Sequence, residues 1–297
     1  MNVGFVGLGT MGLPMVVNLA KNDHKVFVFD AQENNISLAE KSKYVHGCSN
    51  PREVAEKAEV VFTCLPNDDI VREVYLGKEG LISGSRQGLI TCDASTVSAS
   101  TTKEISKKLE TKGVTHMDTP MLGSQPQAIS GEIFFIVGGN PKALPTISPL
   151  LDAMGKMHLH AGENGSANII KLIHNSLAAV TSVAVSESLA ACSMAGVDPK
   201  ILYQVVCNGG GMAYSNYFER RVARMLDGEF SPTFSLELML KDITLGRALA
   251  DELGVATPMM EEARSTYQRA KDAGWGNEDF SAVSKVAEKR LGRKIFP

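Results

Sequence analysis

VGFVGLGTMGLPMVVNLAKNDHKVFVFD, residues 3–30, decides the fold of this chain. Val3 to Val6 read as a short apolar strand, and a turn with three glycines, Gly7, Gly9 and Gly12, follows it. Met15, Val16, Leu19 and Ala20 then recur at helical spacing. A second strand, Lys25 to Phe29, ends on Asp30. Strand, glycine turn, helix, strand and terminal acid together form the fingerprint of a dinucleotide-binding βαβ unit. Gly7 permits the tight turn, Gly9 lets backbone approach a pyrophosphate, and Gly12 lets helix and strand pack closely. The start of the helix offers N–H groups and a positive dipole end to phosphates. Leu8, Thr10 and Met11 complete the turn that faces the cofactor.

The alternation continues outward from this unit. Strand-like runs lie at residues 60–65, 89–92, 114–117 and 133–137, with helical patterns near 51–57, 68–74, 99–112 and 141–154. Strands alternating with helices predict an α/β domain, a mostly parallel sheet covered on both faces. Ligands of such sheets sit at the C-terminal ends of strands. Two such ends stand out, Cys64-Leu65-Pro66-Asn67 and Asp93-Ala94-Ser95-Thr96. Turn chemistry accounts for Asn67 and Asp93, and less readily for Thr96.

Asp30 bears on which dinucleotide binds. An acid at the end of the second strand accepts hydrogen bonds from the adenosine ribose hydroxyls and repels a 2′-phosphate. Ala31, Gln32, Glu33, Asn34 and Asn35 follow it, with no cation before Lys41. The expectation is NAD, with NADP disfavoured.

After a last β run at 157–160 the pattern turns helical. Between Gly165 and Gly196 lie about thirty residues without Gly or Pro, a rod of roughly 45 Å as an α-helix. It is apolar on most faces, which predicts burial. A polar line of Asn164, Asn168, Lys171, Asn175 and Ser182 runs along it, and Lys171 is the only formal charge between Glu163 and Glu187. A lone cation in that setting needs a partner or a chemical role. Helical patterns follow at 199–207, 214–226, 236–253, 259–273 and 280–291. The chain therefore divides into an N-terminal dinucleotide-binding domain, residues 1–162, and a C-terminal all-α domain, residues 163–297, joined by the long helix.

Composition excludes several classes. With 297 residues, 44% hydrophobic, 21% charged and a net charge of −3, the chain reads as globular, with no charge bias toward nucleic acid or membrane. The basic group Lys285, Lys289, Arg290, Arg293 and Lys294 reads as a solvated helix face. Five cysteines at irregular spacing, none in a CxxC pair, indicate neither zinc nor a disulfide framework. They read as reduced, mostly buried thiols. No apolar run reaches transmembrane length, and no targeting segment is evident, so a cytoplasmic location is expected.

The ordered motifs resemble those of the β-hydroxyacid dehydrogenases, relatives of 3-hydroxyisobutyrate and 6-phosphogluconate dehydrogenases. GLGTMGLPMVVNLA from Gly7 is similar to the family's opening motif. Leu65-Pro66 and Asp93–Thr96 match its cofactor-side loops. DTPMLGSQPQAISGEI from Asp118 resembles its substrate segment, GSANIIKLIHN from Gly165 its catalytic segment, and Lys241-Asp242 a pair in a late helix. The resemblance implies a Rossmann-type first domain, a helical substrate and oligomerisation domain, and a hydride-transfer enzyme without a metal. It implies Lys171 as general acid/base; an apolar setting and a second cation such as Lys241 favour the neutral amine that can take a proton. Asn175 and Asp242 are implied at the substrate, Lys241 at the cofactor, and Leu122, Gly123 and Ser124 at the anionic end of the substrate.

The chain also departs from the family. Its substrate segment has Leu122 where a serine is usual, with Ser124 as a nearby hydroxyl. Its catalytic segment has Ala167 for Gly and His174 for Asn. His174 reads as structural, with a proton relay as the competing role. The implied substrate is a small anionic hydroxy acid, 3-hydroxyisobutyrate-like, or its semialdehyde. The alternatives are a reductase of a short acidic aldehyde, such as succinic semialdehyde or a sulfonated aldehyde, and a non-catalytic cofactor-binding module. A homodimer or homotetramer through the helical domain is expected, because one small domain cannot cover so long an apolar rod.

Overall fold

The computed structural model describes residues 1–296. The chain separates into two compact units, Met1–Lys171 and a second running from Leu172 to the C-terminus.

The first unit is a nine-stranded sheet with helices. Its strands are β1 (Asn2–Val6), β2 (Lys25–Phe29), β3 (Val45–Gly47), β4 (Val60–Thr63), β5 (Ile90–Asp93), β6 (Thr115–Asp118), β7 (Met121–Leu122), β8 (Ile133–Gly139) and β9 (Gly155–Gly162). The order is β3-β2-β1-β4-β5-β6-β8-β7, with β9 pairing β8. The six strands from β3 to β6 are parallel, while β8 runs antiparallel to β6 and β7. The short strands β3 and β7 are too brief to carry a sequence period, and the sequence pattern misses both.

Alternation along the strands places two cores on opposite faces of the sheet. Val26, Val28, Val60 and Phe62 pack into one cluster, with Met15, Val16 and Leu19 of the first helix, Gly12–Lys21. Phe27 and Val61 turn the other way, into a cluster with Val54, Val71, Ile105 and Leu109. Residues buried on both faces explain why β4 reads VVFT, a continuous apolar run.

The second unit is helical. Ala179 and Val183 of the long helix Ser166–Met194 pack with Leu236, Met239 and Ile243 of the helix Leu236–Glu252, and with Ala263 and Tyr267 of the helix Pro258–Ala270. Gly246 allows the two longest helices to cross closely, since a Cβ there would fall 2.2 Å from Ser176 Oγ. Buried Asp279 accepts from Arg221 Nη1 at 2.8 Å and from the Thr233 hydroxyl at 3.0 Å, fastening the segment before Leu236 to the C-terminal helical turn.

Two expectations about the long helix need correction. It is not buried all round: Ile170, Ile173 and Leu177 are 44%, 42% and 65% exposed. It is also long and apolar enough to cross a membrane, with a mean hydropathy of 1.5 over 18 residues, although no uninterrupted apolar run suggested it. Its polar Asn, Ser, Thr, Lys and His positions interrupt the run, and its many Ala, Val, Ile and Leu positions keep the average high. All five cysteines are free, with Cys48 and Cys92 buried and Cys64, Cys192 and Cys207 half-buried.

Candidate active site

The glycine turn has the shape that a dinucleotide requires. Gly7 adopts φ +97°, and a Cβ there would fall 2.3 Å from Cys64 O. A Cβ at Gly12 would fall 1.9 Å from Gly7 O, so only glycine lets the helix begin against the strand end. Gly9 is different: nothing lies within 4 Å of its Cβ position. Open space over a bare backbone, at the start of a helix, is the cradle a pyrophosphate fits. Gly9 and Thr10 are exposed, while Leu8 is buried and anchors the turn in the core.

Asp30 stands beside this cradle. Its Oδ2 accepts from Leu8 N–H at 2.6 Å, and its Oδ1 from Gln32 N–H at 2.8 Å and Asn35 Nδ2 at 3.2 Å. The carboxylate therefore binds the glycine turn to the end of β2. Oδ1 thus accepts twice and Oδ2 once, so the acceptor capacity left for a ribose hydroxyl is on Oδ2.

The ends of β4 and β5 are joined side chain to backbone. Leu65 N–H donates to Ser95 Oγ at 2.8 Å. Ser95 N–H and Thr63 Oγ1 both donate to Asp93 Oδ1, at 3.0 and 2.7 Å. Burial pushes the Asp93 carboxyl above the usual carboxylate range, opposed by these hydrogen bonds. Asn67 caps the helix Asp68–Leu76 by accepting from Ile70 N–H at 2.9 Å. Asn67 and Asp93 are thus turn-formers, as the sequence suggests, and Ser95 acts through the Leu65 backbone. Pro66 is exposed and Thr96 half-buried next to them.

Asp118, at the end of β6, docks the start of the long helix. Its Oδ1 accepts from Gly165 N–H at 3.0 Å, and its Oδ2 from Ala167 and Asn168 N–H, both at 3.1 Å. Burial raises its carboxyl, and the N–H donors pull the other way. Gly138 makes room, since a Cβ there would fall 2.5 Å from Asp118 Oδ1. Asn168 Oδ1 accepts from Val97 N–H at 3.2 Å, and Asn168 Nδ2 donates to Thr102 Oγ1 at 3.2 Å. These bonds fix the height and rotation of the helix against the β5 loop. Lys171 follows one turn after Asn168 on the same face and is buried, at 8% exposure. Asp118 and Asn168 position the helix start, a duty the sequence pattern did not assign to either. The signal was Asn168 on the polar line, and for Asp118 only its place at a strand end.

The substrate segment runs through β7. Leu122 is half-buried, and Gly123 takes φ +137°. Ser124 begins the helix Gln125–Ser130, and both its N–H and its hydroxyl donate to Gln127 Oε1, at 2.9 and 2.8 Å. The hydroxyl expected to face substrate is therefore occupied in a capping box.

Within the second unit, Asn175 Nδ2 donates to Asp242 Oδ2 at 2.6 Å, and Lys241 Nζ lies 3.1 Å from Asp242 Oδ1. Buried Asp242 thus offsets Lys241 and orients Asn175 together. His174 Nδ1 sits 3.0 Å from Asn175 Oδ1. With Asn175 Nδ2 donating to Asp242, that oxygen is an acceptor, so His174 carries its proton on Nδ1. This contact fits a structural duty for the exposed His174. Among the described residues, no three His, Cys, Asp or Glu gather as a metal site.

The chain is similar to known proteins over almost its whole length. The family described as the NAD binding domain of 6-phosphogluconate dehydrogenase matches residues 2–162. That described as NAD-binding of NADP-dependent 3-hydroxyisobutyrate dehydrogenase matches residues 165–287. The 2-(hydroxymethyl)glutarate dehydrogenase of Eubacterium barkeri is 31% identical over 294 residues, covering 99% of this chain and 97% of that protein. The 3-sulfolactaldehyde reductase of Escherichia coli is 29% identical, covering 95% and 94%. A Mycobacterium tuberculosis 3-hydroxyisobutyrate dehydrogenase, solved with L-serine, has a TM-score of 0.87 at 27% identity, covering 96% and 98%. The fold and the matched families define an NAD(P)-binding oxidoreductase that acts on CH–OH groups. The chain belongs to the β-hydroxyacid dehydrogenase family.

Proposed function

We propose that this enzyme interconverts a short β-hydroxy acid, 3-hydroxyisobutyrate-like, and its semialdehyde, using NAD, with Lys171 as the general acid/base. The observation that carries this reading is the buried amine of Lys171, one turn beyond a helix start pinned to the β5 and β6 strand ends by Asp118 and Asn168. Gly7 to Gly12, Asp30, Leu65, Pro66, Ser95, Thr96 and Lys241 hold the dinucleotide; Leu122, Gly123, Ser124, Asn175 and Asp242 shape the substrate end.

The nicotinamide supplies or accepts the hydride. The remaining requirement is one proton at the substrate oxygen. In the oxidative direction, neutral Lys171 Nζ takes the hydroxyl proton; in the reductive direction, the ammonium returns it to the carbonyl oxygen. Asn175, four residues on along the helix, holds substrate without adding charge, its carboxamide kept in one orientation by Asp242 and His174.

A second reading is reduction of a short acidic aldehyde, including a sulfonated one. Leu122 favours it, because an aliphatic side chain stands where the family's serine hydroxyl meets a carboxylate. The likeness to the 3-sulfolactaldehyde reductase supports it. A panel of hydroxy acids and acidic aldehydes, followed by NADH absorbance, separates the two. In the same assay Lys171→Ala should lower kcat by at least the ~10²-fold typical of a lost general acid/base, with the NAD dissociation constant unchanged. Retention of most of the activity would remove Lys171 from the mechanism and make His174 the next candidate.

The exposed apolar face of the long helix supports assembly as a homodimer or homotetramer through the helical unit.

A further inference from the structure

Leu122 cannot donate a hydrogen bond, and the Ser124 hydroxyl and N–H are both spent on Gln127 Oε1. These two contacts do more than cap a helix. A carboxamide is planar, so holding its oxygen from one side turns its nitrogen to the other. Gln127 Nε2 makes no hydrogen bond with any described residue, which leaves two oriented N–H donors. The side chain lies directly on the turn after Leu122: a Cβ at Gly123 would fall 3.2 Å from Gln127 Cβ and 3.7 Å from its Cγ. It is half-buried, so its outer end is reachable from solvent.

We propose that Gln127 is a specificity-determining residue, donating from Nε2 to the acid group of the substrate in place of the hydroxyl absent at position 122. The inference rests on the reading of residues 118–133 as the substrate segment. One N–H of the oriented carboxamide can donate to an oxygen of a carboxylate or sulfonate, as the absent hydroxyl would. Ser124 is then a positioning residue, acting on substrate only through Gln127.

The test is Gln127→Glu. Glutamate at this position also completes a capping box with Ser124, so the helix start is preserved. Only the outward atom changes, from an N–H donor to a carboxylate oxygen that repels an anion. Kinetics are measured with NAD and either 3-hydroxyisobutyrate or its uncharged methyl ester, and thermal unfolding is followed alongside. KM for the acid should rise by about tenfold or more, the loss of a hydrogen bond to a charged group. The kcat, the KM for the ester, the KM for NAD and the Tm should stay near wild type. Gln127→Ala should raise the acid KM less, because it removes the donor without adding repulsion.

An unchanged acid KM in Gln127→Glu, or acid and ester KM values rising together, overturns the assignment. If the wild-type enzyme turns over no acid in the panel, the functional reading falls and this assignment with it. If it does and the variant matches it, the Gln127 assignment alone falls.

Discussion

At Asp30 the carboxylate is already engaged three times, by Leu8, Gln32 and Asn35, before any cofactor arrives. That engagement fixes where the remaining lone pair on Oδ2 points, so a bound ribose hydroxyl would meet a pre-placed acceptor. A 2′-phosphate meets a fixed negative charge instead, with Glu33 close behind and no cation in residues 31–35 to offset it. NAD should therefore be preferred by roughly tenfold or more in kcat/KM, equivalent to ~1.4 kcal/mol. The double substitution Asp30→Ser with Ala31→Arg should narrow or reverse the ratio of the two kcat/KM values. Equal or better kcat/KM with NADP in the wild-type enzyme would show that Asp30 serves the turn alone. The structural duty also carries a cost in that variant: Leu8 N–H loses its acceptor, so some loss of stability should accompany the change of preference.

The long helix joins the two units and takes its alignment from its first turn. Asp118 satisfies three N–H groups at that end, of the four that a helix leaves unpaired. Asp118→Asn keeps the size but presents an amide nitrogen to N–H donors. The expected cost is about 1–3 kcal/mol, the range for leaving a buried group unpaired. Hydrogen exchange should localise it, with faster exchange at residues 165–171 and little change at Tyr267 in the second unit. Protection of residues 165–171 equal to wild type would mean that Asn168 alone holds the helix start. Two further elements differ from their sequence patterns for local reasons. The run 214–226 folds as a π-turn, Phe218–Val222, before its α-helix, and the run 259–273 ends in another, Lys271–Trp275, where Gly274 takes φ +90°.

For the molecule as a whole, exposed apolar side chains gather in the helical unit. Ile173 and Leu177 on the long helix, Ile201 and Val205 on the helix Pro199–Asn208, and Met194 between them are each at least 42% exposed. Large apolar side chains this exposed in one unit favour a partner surface. Sedimentation at micromolar concentration should show a dimer or tetramer, and Leu177→Glu should shift it toward monomer while the first unit keeps its near-native NAD affinity. A stable wild-type monomer would leave those side chains without a partner and refute the assembly.

Sequence alone determined the parts of this protein that depend on local chemistry. The Gly7–Gly12 turn, the acid at Asp30 and the alternation of strands and helices each follow from backbone sterics and side-chain periodicity within a few residues, and so they are legible in order along the chain. Lys171 and Asn175 stand out as candidates for a similar reason, since a polar line on an apolar helix repeats every three or four positions; the roles proposed for them come from the family resemblance. Tertiary structure alone decided which polar groups remain available. Ser124 is spent on Gln127, Asp118 reaches forty-seven residues forward to Gly165, and Asp242 holds both Lys241 and Asn175. No periodicity encodes these pairings, because each hydrogen bond is settled by the distance between two elements after they pack. The same holds for the long helix: its composition predicts burial, and only the packed chain shows which of its side chains stay exposed.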